Sequence, residues 1–244
     1  MRVSELDARS PNVMVIYDVG MHSGNDTEYY LRKGYKVVAI EANPELCAMT
    51  RRRFADRLGV DLEILNVGVA MAPGEQEFFV HKKKPGLSTF VPPHDAADGE
   101  VWRRLTVPTA RLSDIIRAHG EPHFVKIDIE RSDVHALDDL RNAAITPPQI
   151  AVEAHVFDVL VVLLRMGYAR FKFVNGAQVP RHFRNHKIRL RDGTLAEHNF
   201  PRSSSGPFGD DLPGEWLTAS KAVYLYHGRH IMFGDGWFDI HAAM

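Results

Sequence analysis

Asp18, Gly20 and Gly24 lie in the stretch YDVGMHSGNDTEYYL, residues 17–31, between an apolar run that reads as a strand and a segment that reads as a helix. In an open parallel sheet, ligands bind at the carboxyl ends of the strands, and the first strand-turn-helix unit is the usual nucleotide contact. Pyrophosphate recognition calls for glycines spaced G-x-G-x-x-G, so that phosphate rests on the helix N-terminus. Here the spacing is G-x-x-x-G, with Met21, His22 and Ser23 in between, which argues against pyrophosphate. Glu41 ends the second apolar run, about twenty residues past the first glycine, where one carboxylate accepts hydrogen bonds from both hydroxyls of an adenosine ribose. A nucleoside without phosphates, carrying a charged amino-acid tail that passes close to bare backbone, satisfies both observations. S-adenosylmethionine is such a molecule.

A second group of polar residues stands further along. In HFVKIDIE, residues 123–130, a period-two reading puts Phe124, Lys126, Asp128 and Glu130 on one face and Val125, Ile127 and Ile129 on the other. Lys126 reads as the partner of an acid within a partly buried strand, whereas Asp128, at the strand's carboxyl end, reads as functional. Glu153 and His155 share a face at the carboxyl end of the next strand, and His155 has a proton affinity suited to general-base work at neutral pH. The basic stretch RHFRNHKIRLR, residues 181–191, reads as a solvated edge strand protected by charge. Its His182 and His186 stand four apart like a metalloprotease pair, but Phe183 occupies the position of the needed glutamate. His227, His230, His241 and Asp239 near the C-terminus form no compact ligand motif with Asp128, so no metal is expected.

The elements that must position these residues follow from periodicity. NVMVIYDVG reads as a doubly covered first strand, with Asn25 capping the next helix, Glu28 at its capping-box position and Gly34 as its stop. KVVAIEA is a second strand. Asn43 and Pro44 then cap and open a helix with Leu46, Thr50, Phe54 and Leu58 inward, ended by Gly59, and VDLEILNVGVA is a third strand. EQEFFVH and RRLTVP form an added strand pair. After the helix ARLSDIIRAHG come three strands, HFVKIDIE, PQIAVEAHV and YARFKFVN, joined by the helices SDVHALDDLRNA and FDVLVVLLRMG, and KAVYLYH reads as the last strand. The expected fold is α/β, Rossmann-like: a mainly parallel seven-stranded sheet with helices on both faces and an antiparallel last strand, plus the small strand pair and a long late loop. One domain, 1–244, divides into a cofactor half (13–70), an insertion or lid (71–108), a catalytic half (109–176), a substrate loop (177–219) and a last strand with tail (220–244).

YDVGMHSGNDTEYYL, AIEANPE, NVGVA and FVKIDIE, in this order and at these separations, resemble the FkbM family of class I S-adenosylmethionine-dependent methyltransferases. SSSGPFG and WFDIHA resemble endings of one branch of that family. The resemblance implies methylation of hydroxyl oxygens on small molecules or sugars. It implies that Asp18, Gly20 and His22 line the methionine part, that Glu41 holds the ribose, that Asn66 and Gly68 approach the adenine, and that Ser23 and Gly24 also belong to the cofactor site. It also implies that Ser88 meets the cofactor and that Asp128 sits beside the methionine amine or the acceptor. Asp128, His155 and then Glu153 are the expected catalytic groups. Where the family reads D-[IV]-E-G, this chain has Arg131 in place of the glycine.

Composition sets the outer limits. The 244 residues, 45% hydrophobic and 25% charged, can bury one substantial core. Thirty Lys plus Arg face thirty-one Asp plus Glu, so no whole-molecule field draws in a polyanion, and nucleic acid is not an expected partner. MRVSELDARSPN lacks the apolar core of a signal peptide, VFDVLVVLL is too short to span a bilayer, and Cys47 is the single cysteine. A cytoplasmic protein off the membrane is expected, with homo-oligomerisation left open. The competing readings are a nicotinamide-dependent Rossmann oxidoreductase, and an S-adenosylmethionine-binding protein whose catalysis has lapsed at Arg131.

Overall fold

The computed structural model describes residues 14–228 and 237–244. It begins with β1 (Val15–Val19), α1 (Asn25–Arg32), β2 (Lys36–Ile40), α2 (Pro44–Arg53) and β3 (Leu62–Leu65). β4 (Gly68–Val69), β5 (Gly74–His81) and β6 (Trp102–Ala110) form a separate sheet in the order β4-β6-β5. Alternation resumes with α3 (Leu112–His119), β7 (Pro122–Ile127), α4 (Asp133–Asn142), β8 (Gln149–Glu153), α5 (Asp158–Arg165) and β9 (Arg170–Asn175). Then come α6 (Val179–His182), a hairpin of β10 (His186–Arg189) and β11 (Leu195–His198), β12 (Leu217–Thr218), α7 (Ala219–His227) and β13 (Phe238–Ala243).

The main sheet runs β12-β9-β13-β8-β7-β1-β2-β3. β3, β2, β1, β7 and β8 pair in parallel, and β13 inserts antiparallel between β8 and β9. Seven strands are those expected of the fold class, and the two-residue β12 adds an eighth at the edge. All five residues of β1 are buried. Val15, Tyr17 and Val19 pack into one apolar layer with residues of α3, α4, α5 and α7, while Ile16 packs into the other with α1, α2 and the late loop through Tyr29, Cys47 and Phe208. Each such fully buried aliphatic side chain stabilises by roughly 1.5–3 kcal/mol, so covering both faces is what makes the near-continuous apolar strand favourable. β1 lies between β2 and β7, and the chain leaves it in opposite senses on the two sides. The crevice at their carboxyl ends is therefore the topological switch point of the sheet.

Four expectations about elements are corrected. KAVYLYH is helical, and the last strand is FDIHAA: Ala222 and Tyr226 are buried while Tyr224 is 79% exposed, a spacing of four that buries one side of a helix. VDLEILNVGVA is not one strand, because β3 belongs to the main sheet and β4 to the small one, with Asn66 at the break. Asn25 does not cap α1; Gly24 takes the cap position at φ 80°, and Asn25 is the first helical residue. α2 stops at Arg53, ahead of Gly59. Asn43 does cap α2, its side chain accepting from the Glu45 amide. The expected strand pair exists as β5 and β6, with β4 as a third strand. His230 and the residues before Met14, including the start of the expected first strand, lie outside the described residues.

Candidate active site

The first turn is built by close approach of neighbouring strands. Gly20 has φ 83°, and its amide donates to the Ile40 carbonyl at 2.9 Å. A Cβ at Gly20 would fall 1.7 Å from the Asp128 carbonyl oxygen, so the bare backbone is demanded by the turn after β7. Gly24 is pressed in turn by the Phe54 ring and Thr50, at 2.7 and 2.9 Å from a notional Cβ. His22, at φ 52°, donates its amide to Oε2 of Glu41 at 2.9 Å, while the Asn43 amide donates to Oε1 at 2.8 Å. One carboxylate at the end of β2 is thereby fixed by both oxygens, each keeping acceptor capacity for a further donor. Burial raises the Glu41 carboxyl above its ordinary value, opposed by those two amides.

Beneath this turn lies Lys126, buried in β7. Its Nζ donates to the Gly20 carbonyl at 2.9 Å and stands 3.4 Å from Asp128, 3.5 Å from Asp18 and 3.9 Å from Asp26. Burial works to lower its ammonium, but the surrounding carboxylates more than offset this and leave it raised. The reading of Lys126 as an acid's partner on a buried strand matches this geometry. Asp128 follows β7, its amide bonded to the Val19 carbonyl. Burial alone would raise its carboxyl, yet Lys126 holds it below the ordinary carboxylate range.

Glu153 ends β8. Burial, then the charges of Asp128, Glu130 and Asp239, push its carboxyl up to about 12. Nε2 of His155 lies 2.6 Å from Oε2 of Glu153 and 3.8 Å from Oε2 of Glu130. Burial lowers the imidazole's proton affinity below that of an ordinary histidine, opposed by the Asp128 charge. Glu130 and Arg131 follow at φ 49° and 75°, with Thr89 Oγ1 donating to the Glu130 carbonyl at 2.9 Å.

These residues surround a cavity of about 820 Å³ at the switch point. Gly20, His22, Glu41, Gly68, Ser88, Asp128, Glu153 and His155 line it, with Glu130. Asp18, Ser23, Gly24 and Asn66 stand behind or beside the lining. Asp18 is fully buried and accepts from Thr27 at 2.6 Å, and the Ser23 carbonyl accepts from Arg53. Asn66 Nδ2 bridges the Glu41 and Ala42 carbonyls, tying the ends of β2 and β3 together.

Sequence reasoning missed several wall residues. Phe90 packs so tightly on Gly68 that a Cβ there would come within 2.2 Å of its ring, and Trp237, Arg202 and Ser203 also contribute to the wall. The SSSG tetrapeptide was the available signal for the last of these: Ser204 and Ser205 bind Asp26 on α1 and fix the loop against the site. Among the described residues, the C-terminal His227, Asp239 and His241 form no metal-ligand cluster. His227 packs on Phe157 at the end of α7, while Asp239 and His241 are buried in β13. Lys187 and Arg189 lie exposed on the β10–β11 hairpin, and His182 and His186 fall on different elements.

No curated protein matches the chain. Among solved structures, precorrin-6y C5,15-methyltransferase from Geobacter metallireducens GS-15 is 11% identical, with 96% of this chain and 81% of that one covered and a TM-score of 0.42. An S-adenosylmethionine-dependent O-methyltransferase from Thermotoga maritima is 10% identical, covering 95% and 60%, with a TM-score of 0.44. An rRNA methylase from Streptococcus thermophilus is 10% identical, covering 95% and 87%, with a TM-score of 0.39. The methyltransferase FkbM domain matches residues 18–172, and the chain belongs to that family of S-adenosylmethionine-dependent methyltransferases.

Proposed function

We propose that this methyltransferase acts on a hydroxyl oxygen of a small molecule or sugar. The observation carrying the reading is that Asp128, Glu153 and His155 line one cavity, with the Asp128 carboxyl held below the ordinary carboxylate range by Lys126 and the His155 imidazole lowered by burial. The cavity's volume lies within the roughly 300–1,000 Å³ usual for ligand sites. Its residues fit the cofactor: Glu41 offers two oriented oxygens suited to a pair of ribose hydroxyls, and the carboxylates around Lys126 suit a cationic amino-acid tail. His22 Nδ1 is buried without a hydrogen-bond partner beside them. When bound, S-adenosylmethionine supplies a methyl group on a positively charged sulfur.

The chain's own work is to orient, to exclude water and to take a proton. Glu41 would hold the ribose, Gly68 would approach the adenine, Ser88 would meet the cofactor, and Asp128 would sit beside the methionine amine or the acceptor. Holding reactants in line is worth about 7–11 kcal/mol when the geometry is right, so rigid placement outweighs acid-base strength here. Asp128, with its carboxyl held low by Lys126, and His155, with its imidazole lowered by burial, are the groups placed to receive the hydroxyl proton. The near-zero net charge of the chain supports a small acceptor over a polynucleotide.

The test is incubation of the purified protein with S-adenosylmethionine and a panel of hydroxylated small molecules and sugars, alongside transfer and ribosomal RNA. Product mass and fragmentation then locate any added methyl. Methyl on oxygen of a small acceptor is expected. Methyl found only on nitrogen, carbon or RNA overturns the reading, as does calorimetric binding of oxidised nicotinamide dinucleotide without binding of S-adenosylmethionine.

A further inference from the structure

We propose that the ends of β7 and β8 form a site for one divalent transition-metal ion, held by Glu130, Glu153 and His155. One ligand atom from each of these residues lies within 4.8 Å of the others, a grouping that no sequence spacing announced. All three line the cavity, which leaves remaining coordination positions open to water or to a ligand's oxygen. An independent observation points the same way. The Glu153 side chain is 8% exposed, yet its Oε2 has no hydrogen-bond partner, although Nε2 of His155 stands only 2.6 Å away. A buried carboxyl oxygen left without a hydrogen bond is costly, and a close N···O contact outside hydrogen-bond geometry is one that two atoms sharing a third partner can make.

The charges around the cluster leave it in need of a cation. Lys126 is already surrounded by Asp18, Asp26 and Asp128 at 3.4–3.9 Å, so its ammonium is committed to other acids. The turn after β7 brings Glu130 to within 3.8 Å of His155 by placing two successive non-glycine residues at positive φ, and Thr89 pins that turn through the Glu130 carbonyl. Two carboxylates and one imidazole, without a thiolate, suit Mn²⁺, Fe²⁺, Co²⁺ or Zn²⁺ better than Ca²⁺ or Cu⁺.

Ion binding stands on these observations alone, while its chemical role rests on the hydroxyl-acceptor reading. The ion would orient an acceptor oxygen and lower its proton affinity, with Asp128 on the same cavity to receive the proton and His155 engaged as a ligand.

Chelator-treated full-length protein is titrated with MnCl₂ and followed by electron paramagnetic resonance, with ZnCl₂ as competitor. One Mn²⁺ per chain is expected, displaced by Zn²⁺ and showing nitrogen coupling from a bound imidazole. Glu130→Gln should weaken binding at least tenfold, and His155→Asn should also remove the nitrogen coupling, while thermal melting and S-adenosylmethionine titration verify that both variants are folded. Failure of the wild-type protein to bind either ion at millimolar concentration overturns the site, as does unchanged affinity in both variants. Repeating the acceptor panel with and without Mn²⁺ separates the two proposals. O-methylated product formed with no ion bound overturns the ion's catalytic role and leaves the acceptor reading intact, whereas ion binding with no O-methylated product keeps the site and sinks the acceptor reading.

Discussion

Glu41 shows how one side chain joins backbone architecture to binding. Its two oxygens accept the His22 and Asn43 amides, so the carboxylate is oriented before any ligand arrives. A hydrogen bond to a charged group contributes about 1.5–3 kcal/mol, so Glu41→Gln should raise the S-adenosylmethionine Kd by roughly ten- to a hundredfold in calorimetry. An unchanged Kd, with the melting temperature retained, removes the ribose assignment. Gly20 teaches a different lesson. Its spacing from Gly24 was visible in the sequence, and so was its place at a ligand-binding turn. The reason for the missing side chain was not, because the obstructing atom is the carbonyl of Asp128, more than a hundred residues away. Overpacking of about 1–3 kcal/mol adds to the left-handed penalty of about 1–2 kcal/mol, so Gly20→Ala should cost roughly 2–5 kcal/mol in urea unfolding. Loss of less than about 1 kcal/mol would show that the two turns can part. The metal-ligand grouping was illegible for the same reason: Glu130 and His155 meet only because β7 and β8 are neighbours.

At the scale of elements, strands and helices with one strong period were readable, and junctions were not. β1, β2, β7 and β8 are apolar runs bounded by turn residues, and each lies where periodicity put it. KAVYLYH alternates weakly enough to pass as a strand, but it closes the sheet's apolar layer with the helical pair Ala222 and Tyr226. Chain departure from the main sheet at Asn66 has no local signature, since both halves of VDLEILNVGVA favour extended backbone. The late loop is fixed by buried polar contacts that no pattern marks. Asp211 pairs with Lys33, accepts from the Tyr29 hydroxyl at 2.8 Å and from the Arg189 amide at 3.0 Å, and is almost fully buried. Removing one partner of a buried pair costs about 3–5 kcal/mol, so Asp211→Ala should release the 186–212 region and accelerate its proteolysis ahead of global unfolding. Cleavage at the wild-type rate would contradict that docking. The turn after β7 gives an opposite expectation: Arg131 is exposed at φ 75°, where glycine pays no steric penalty, so Arg131→Gly should stabilise by about 1 kcal/mol in urea unfolding. A loss of stability would mean that the guanidinium is held by the acids around it.

At the scale of the whole molecule, a net charge of −1 hides an uneven interior. Buried acids crowd the carboxyl edge of the sheet around one buried lysine, while His241 is buried near Lys172 on the same β13 strand that carries Asp239. Burial, then the Asp128 charge, pushes the Asp239 carboxyl up to about 8, whereas burial, then the Lys172 charge, lowers His241 to about 3. The signs differ in consequence. Between about pH 4 and pH 8 folded Asp239 keeps a proton that the unfolded chain releases, so its contribution to stability declines as pH rises, by about 1.4 kcal/mol per unit. Between about pH 6.5 and pH 3 the unfolded chain takes up a proton that folded His241 refuses, so stability declines as pH falls, at a similar slope. The two effects oppose each other from pH 4 to 6.5 and act singly outside that window. Asp239→Asn, which mimics the neutral acid, should therefore remove a decline of the ligand-free protein between pH 6.5 and 8, and His241→Gln should remove one below pH 4. Denaturant unfolding at half-unit pH steps measures both as difference curves against the wild type. An Asp239→Asn curve parallel to wild type across pH 6.5–8 would mean that this carboxyl is already ionised in the fold, and that Lys126 and the Ser205 hydrogen bond outweigh its desolvation and the acids gathered around it.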